Sequence, residues 1–179
     1  MSTIDNSFSR DANRIPITTD GITTSVTKNM TASNETLAVP LFHIVGAVEI
    51  RGLWGVVTTA LGANHTAAHW RINDQTATNV VITAAAGTTL NSAGVGSLIV
   101  KKGVLSTALT LISNAAGAIS EPTTLETTYF SPFVAVQKVG NITTDIEYVY
   151  TTTTQPTTGA IKFNVRWLPL TSSANVVAI

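Results

Sequence analysis

Between Val39 and Leu61 the chain reads VPLFHIVGAVEIRGLWGVVTTAL, its longest strongly apolar run. How such a run is buried constrains everything around it. A membrane-spanning helix needs about 20 consecutive, largely uncharged apolar residues. His43, Glu49 and Arg51 interrupt this one with groups that are costly at bilayer depth. A soluble helix is opposed by Gly46, Gly52 and Gly55 and by the abundance of Val, Ile and Thr. Strands fit: Ile44, Gly46, Val48 and Ile50 share one face at a period of two, while Glu49 and Arg51 fall on the other. With a bend at Gly52 and a second strand over Leu53–Leu61, the run is expected to form the first long hairpin, or bent strand pair, of a β-domain.

The same style continues to the C-terminus. Turns are expected at Gly62-Ala63-Asn64, Asn73-Asp74-Gln75, Gly140-Asn141 and Gln155–Gly159. Between them lie strand patterns over Ala67–Asn73, Asn79–Ala84, Ser97–Val104, Leu105–Ser113, Leu125–Val139 and Ile142–Thr154. Pro132 marks part of the Leu125–Val139 segment as an edge or a bend. The cleanest pattern is Ala160–Leu168, where Ile161, Phe163, Val165 and Trp167 alternate with Lys162, Asn164 and Arg166. Many short strands with Gly, Pro and Asn turns predict an all-β fold, an antiparallel two-sheet sandwich of the jelly-roll kind, over residues 38–179. Residues 1–37 are polar and without a sustained period, and read as an extended N-terminal arm docked on a partner or a neighbouring subunit, the alternative being an arm folded back on its own domain.

Composition narrows the function. Of 179 residues 44% are hydrophobic and only 11% charged, with a net charge of zero and about 30 threonines. The charged share is under half of the roughly 25% usual in soluble domains, and threonine favours strands. Nothing here supplies the clustered Lys and Arg that displace counterions from nucleic acid, so no nucleic-acid partner is expected. A weakly charged, polar surface suits a subunit packed against neighbours. There is no cysteine, which excludes disulfides and thiolate metal sites. The opening MSTIDNSFSRDANRIP lacks a basic stretch leading into an apolar one, so no secretory signal is expected.

The motifs that carry chemistry elsewhere are incomplete. His65 and His69 have metal-ligand spacing for a helix, but Thr66 stands where a zinc protease needs Glu. On a strand the two imidazoles lie about 13 Å apart, and they read as exposed turn and strand histidines. Gly94-Val95-Gly96 leads into a strand and offers no helix N-terminus for a phosphate. Asp145 and Glu147 read as solvated edge charges, and Lys101-Lys102 as a charge pair in a turn. No catalytic residue, metal site or cofactor is expected. Trp70 and Trp167 fall on apolar phases and read as core, whereas Trp54 is a candidate for stacking on a glycan.

Three short motifs carry a resemblance. Ser9-Arg10-Asp11-Ala12-Asn13-Arg14-Ile15-Pro16-Ile17 resembles the R-D-x-N-R-x-P leader of small structural proteins of tailed bacteriophages. Ile50–Gly62 is similar to the hairpin that follows that leader, and Phe163–Leu170 to the closing strand, aromatic, x-P-L pattern. The resemblance implies a virion protein, made in the host cytoplasm: a capsid decoration (cement) protein, β-rich, oligomeric and commonly trimeric. It implies that Arg10, Asp11, Asn13, Arg14, Ile15, Pro16 and Ile17 contact the major capsid protein, another virion protein or a neighbouring copy. A receptor-binding or fibre-type adhesin using Trp54, or a tail or neck component, is the alternative.

Overall fold

The computed structural model describes residues 21–31, 34–75, 79–86, 90–113, 131–140, 143–153 and 158–179. Among these, every regular element is a strand: β1 (Ile22–Asn29), β2 (Thr36–Val45), β3 (Ala47–Thr59), β4 (Thr66–Asn73), β5 (Val80–Val81), β6 (Leu98–Val100), β7 (Thr110–Ile112), β8 (Phe133–Val136), β9 (Asp145–Thr151), β10 (Ala160–Pro169) and β11 (Asn175–Ala178). They form two sheets. One runs β1-β10-β3-β6-β7, with β8 also on β3, and the other β11-β2-β9-β4-β5. All pairings are antiparallel.

The pairing is nested: β1 pairs with β10, β2 with β9, β3 with β8 and β4 with β5. This is one long hairpin of four strand pairs, rolled up so that successive pairs fall in opposite sheets. The bonds β10–β3 and β9–β4 close the roll. Setting aside β6, β7 and β11, the remaining strands have the eight-stranded jelly-roll order. The additional strands β6 and β7 extend the first sheet along Trp54–Val56 of β3, and β11 extends the second along β2.

Alternation on β10 works as expected: Ile161, Phe163, Val165 and Trp167 enter the core, where they meet Phe42, Ile44, Trp70, Tyr148 and Tyr150 of the facing sheet. The apolar run that opened the sequence analysis behaves differently from expectation. β2 and β3 lie in opposite sheets and form no hairpin. The chain reverses at Gly46, which adopts φ 66°, and not at Gly52. A Cβ at Gly46 would approach Thr171 Oγ1 to 2.8 Å, so the crossover needs glycine for space as well as for φ.

Gly52 instead lies within β3 beside a bulge. Register slips between Arg166 opposite Gly52 and Trp167 opposite Ile50, leaving Arg51 as the extra residue. The inward phase therefore changes from Val48 and Ile50 to Leu53, Gly55 and Val57. A second bulge, between Pro40 and Phe42, accommodates a proline inside β2.

The boundary expected at residue 37 falls inside β2, and Ile22–Asn29 is the edge strand β1, paired along its full length with β10. Ile22 and Val26 pack against the core and Met30 is fully buried. The chain from Gly21 onward thus belongs to the sandwich. The alternation of Ile22, Thr24 and Val26 is weak because Thr24 faces inward as a polar link: its hydroxyl accepts from Trp167 Nε1 at 3.0 Å and donates to the Val176 carbonyl at 3.1 Å. Residues 1–20 lie outside the described residues.

Candidate functional site

The buried titratable groups were the least legible from sequence. His65 is fully buried, not an exposed turn residue. It stacks on Tyr150, with centroids 4.5 Å apart and planes 6° from parallel, and its Nε2 is 2.8 Å from the Tyr148 hydroxyl. Burial lowers its pKa from 6.5 to about 4. Burial, and then the adjacent Tyr150, push the Tyr148 phenol well above its usual value. His69 points elsewhere, its Nδ1 2.8 Å from the Ala67 carbonyl. A bulge between Thr66 and His69, with Ala67 at φ 51°, separates the two imidazoles.

Asp145 and Glu147 are not solvated edge charges. They lie on β9, between β2 and β4, and are 8% and 5% exposed. Asp145 is 2.8 Å from His43 Nδ1, while Glu147 accepts from Arg71 Nε at 2.7 Å and from Asn73 Nδ2 at 2.9 Å. Each of the two carboxylates thus has a hydrogen-bonding partner on a neighbouring strand. Lys101 is likewise buried, donating to the Gly103 carbonyl at 2.7 Å, and burial lowers its pKa to about 8. Its side chain also stands 5.8 Å from the Phe133 ring, tying the β6–β7 loop to the start of β8. Among the described residues no group of three or more His, Asp or Glu is placed to share a metal ion.

Trp70 and Trp167 are core residues, as expected, whereas Trp54 is half-buried on the outer face of the first sheet. It stands opposite Asn164, the Arg166 guanidinium is 5.9 Å from its ring centre, and the ring edge covers Gly52. Asn164 Oδ1 accepts from the Ser25 hydroxyl at 2.7 Å. An aromatic ring flanked by hydrogen-bonding side chains results.

A different surface escaped sequence reading. Where the two sheets part beside β5 and β8, a groove of roughly 400 Å³ opens. Ile72, Val80, Val134, Ala135 and Val136 line it, and Lys138 reaches Asp74 across it at 3.8 Å. Val80 is 51% exposed, Val134 57% and Val136 60%. Both walls are edge strands among the described residues. The available signal was Phe133-Val134-Ala135-Val136 directly after Pro132: proline marks an edge, yet both phases of the strand are apolar, so one phase is left uncovered.

Arg10, Asp11, Asn13, Arg14, Ile15, Pro16 and Ile17 lie outside the described residues, and Trp54 is on β3 beyond Ile50, where the pairing with β8 ends. No protein-family model, no curated protein and no solved structure matches the chain.

Proposed function

We propose that this protein is a non-enzymatic structural subunit of a tailed-bacteriophage particle, a capsid decoration protein that binds the assembled shell through its N-terminal segment and an oligomeric β-domain. The observation that carries this reading is the distribution of surface chemistry on the jelly roll. The buried carboxylates of β9 are paired across strands, and the exposed valines Val80, Val81, Val134 and Val136 stand along two edge strands flanking a groove. Exposed apolar edges of this kind mark contact surfaces. The buried titratable groups support the non-enzymatic part, because His65, Asp145, Glu147 and Lys101 are each engaged in packing or pairing. The fold itself is weak support, since jelly rolls serve in capsids, lectins and enzymes alike.

The test compares full-length protein with a variant lacking residues 1–20 for co-sedimentation with phage heads stripped of it. The reading expects the truncated protein to be folded and unbound; undiminished binding overturns it.

The outward-facing Trp54 beside Arg166 and Asn164 favours a second reading, a receptor-binding adhesin that stacks this ring on a sugar. Trp54→Ala then abolishes glycan-array binding while leaving particle assembly intact. An array that gives no signal with the unmodified protein removes this alternative.

A further inference from the structure

We propose that the outer face of the first sheet binds an acidic polysaccharide, stacking a sugar ring on Trp54 and holding that sugar's carboxylate with Arg166. The proposal rests on the second reading above, in taking Trp54 as the ring that meets a glycan, and it names the class of glycan.

Register sets the neighbours out in three rows across this face. Arg166 stands between Thr23 and Gly52, Asn164 between Ser25 and Trp54, and Lys162 between Thr27 and Val56. Lys162 and Arg166 are exposed on the outward phase of β10, about 13 Å apart along the strand. The indole stands opposite the midpoint of that span, so a cation flanks it on either side.

Glycine gives the ring its posture. A Cβ at Gly52 would fall 3.2 Å from Trp54 Cζ3 and 3.6 Å from Cε3, so the six-membered ring leans along β3 over a position without a side chain. The half-buried indole thus lies down on the sheet with one face turned outward, the attitude in which an aromatic ring receives a sugar. The Arg166 guanidinium is 5.9 Å from the ring centre. That is the outer limit of a cation–π contact and too far for the guanidinium to be stacked on the ring.

Charge selects the occupant. Glu49, Asp74, Asp145 and Glu147 each stand within ion-pair distance of a basic side chain. Among the described residues, no carboxylate stands within that distance of Lys162 or Arg166. Two such cations beside an outward ring complement a ligand that is both carboxylated and flat. Arg166 presents a planar fork that matches a carboxylate with two hydrogen bonds. Nucleic acid calls for a larger basic cluster. A peptide strand calls for an open sheet edge, whereas Trp54 lies on β3 with β10 bonded on one side and β6 on the other. Recognition here is left to the ring face and the side-chain heads.

The test places the full-length protein on an array that pairs oligosaccharides of uronic or sialic acid with their methyl esters, which keep the ring and lose the charge. The proposal expects the acids to bind about ten-fold or more tighter than their esters, the worth of a charge-assisted hydrogen bond. Arg166→Gln abolishes that preference, and Trp54→Ala abolishes retention of acid and ester alike. Equal binding of acids and esters overturns the proposal while leaving the adhesin reading standing; no binding of either form overturns both. An acid preference that survives Arg166→Gln overturns the proposal too, because the carboxylate is then held elsewhere. Stronger retention on polyglutamate than on every acidic sugar assigns the face to an acidic peptide and likewise overturns it. The comparison of acid with ester needs no variant, so it decides the matter whatever a substitution does to folding.

Discussion

His65 Nε2 and the Tyr148 hydroxyl lie 2.8 Å apart in the middle of the sandwich, joining the segment before β4 to the central strand β9. The imidazole is held neutral by burial, with its pKa lowered from 6.5 to about 4. Between these values the unfolded chain binds the proton that the folded chain refuses, so stability rises with pH there and falls on acidification. The loss begins below about pH 6.5 and levels off near pH 4, reaching about 3 kcal/mol at 1.36 kcal/mol per unit. Denaturant titrations of the native protein and His65→Phe across this range isolate the effect: the variant lacks this part of the acid limb. It also starts lower, by about 1–3 kcal/mol, because the Tyr148 hydroxyl loses its partner.

The position of β1 separates two truncations. Removing residues 1–20 leaves every described strand in place and is expected to preserve a cooperative melt. Removing residues 1–30 also deletes β1, the Thr24 link to Trp167 and the buried Met30. Loss of a buried Met alone costs about 2–5 kcal/mol. The longer truncation therefore lowers Tm by at least about 5 °C or leaves the chain unfolded, as circular dichroism would record.

Glu147 accepts from both Arg71 and Asn73 while almost wholly buried. Glu147→Ala leaves both donors without their acceptor and is expected to cost about 2–4 kcal/mol in denaturant unfolding. Lys162→Ala, on the exposed phase of β10, serves as the control and changes stability by under about 0.5 kcal/mol.

Two glycines with positive φ separate conformational strain from collision. Gly159 has φ +118° and a Cβ there would lie 2.6 Å from the Ala60 carbonyl oxygen, whereas Gly140 has φ +103° with open space around it. Gly140→Ala carries strain alone, about 1 kcal/mol, and Gly159→Ala carries strain plus a backbone clash, about 3 kcal/mol or more. Thermal unfolding of the two variants gives the order directly.

The legible part of this fold is the part governed by a period of two. Ile161, Phe163, Val165 and Trp167 show their inward face because their alternation runs unbroken along a strand. The bulge at Arg51 was not legible: Gly52 looked like a bend, and only the register against β10 shows a change of phase within one strand. Nor could spacing reveal the nesting that places β2 and β3 in different sheets. Asp145 and Glu147 looked solvated because charge on a strand usually is; their burial follows from β9 being central, with His43 and Arg71 supplied from its two neighbours. The groove depends on β5 and β8, which are distant in sequence and meet only after the roll closes.

Gold-labelled antibody against this protein, applied to intact phage particles and viewed by electron microscopy, tests the central claim most directly. Capsid decoration predicts label spread in a repeating pattern over the head. Label confined to the tail, neck or fibres, or absent from the particle, contradicts it.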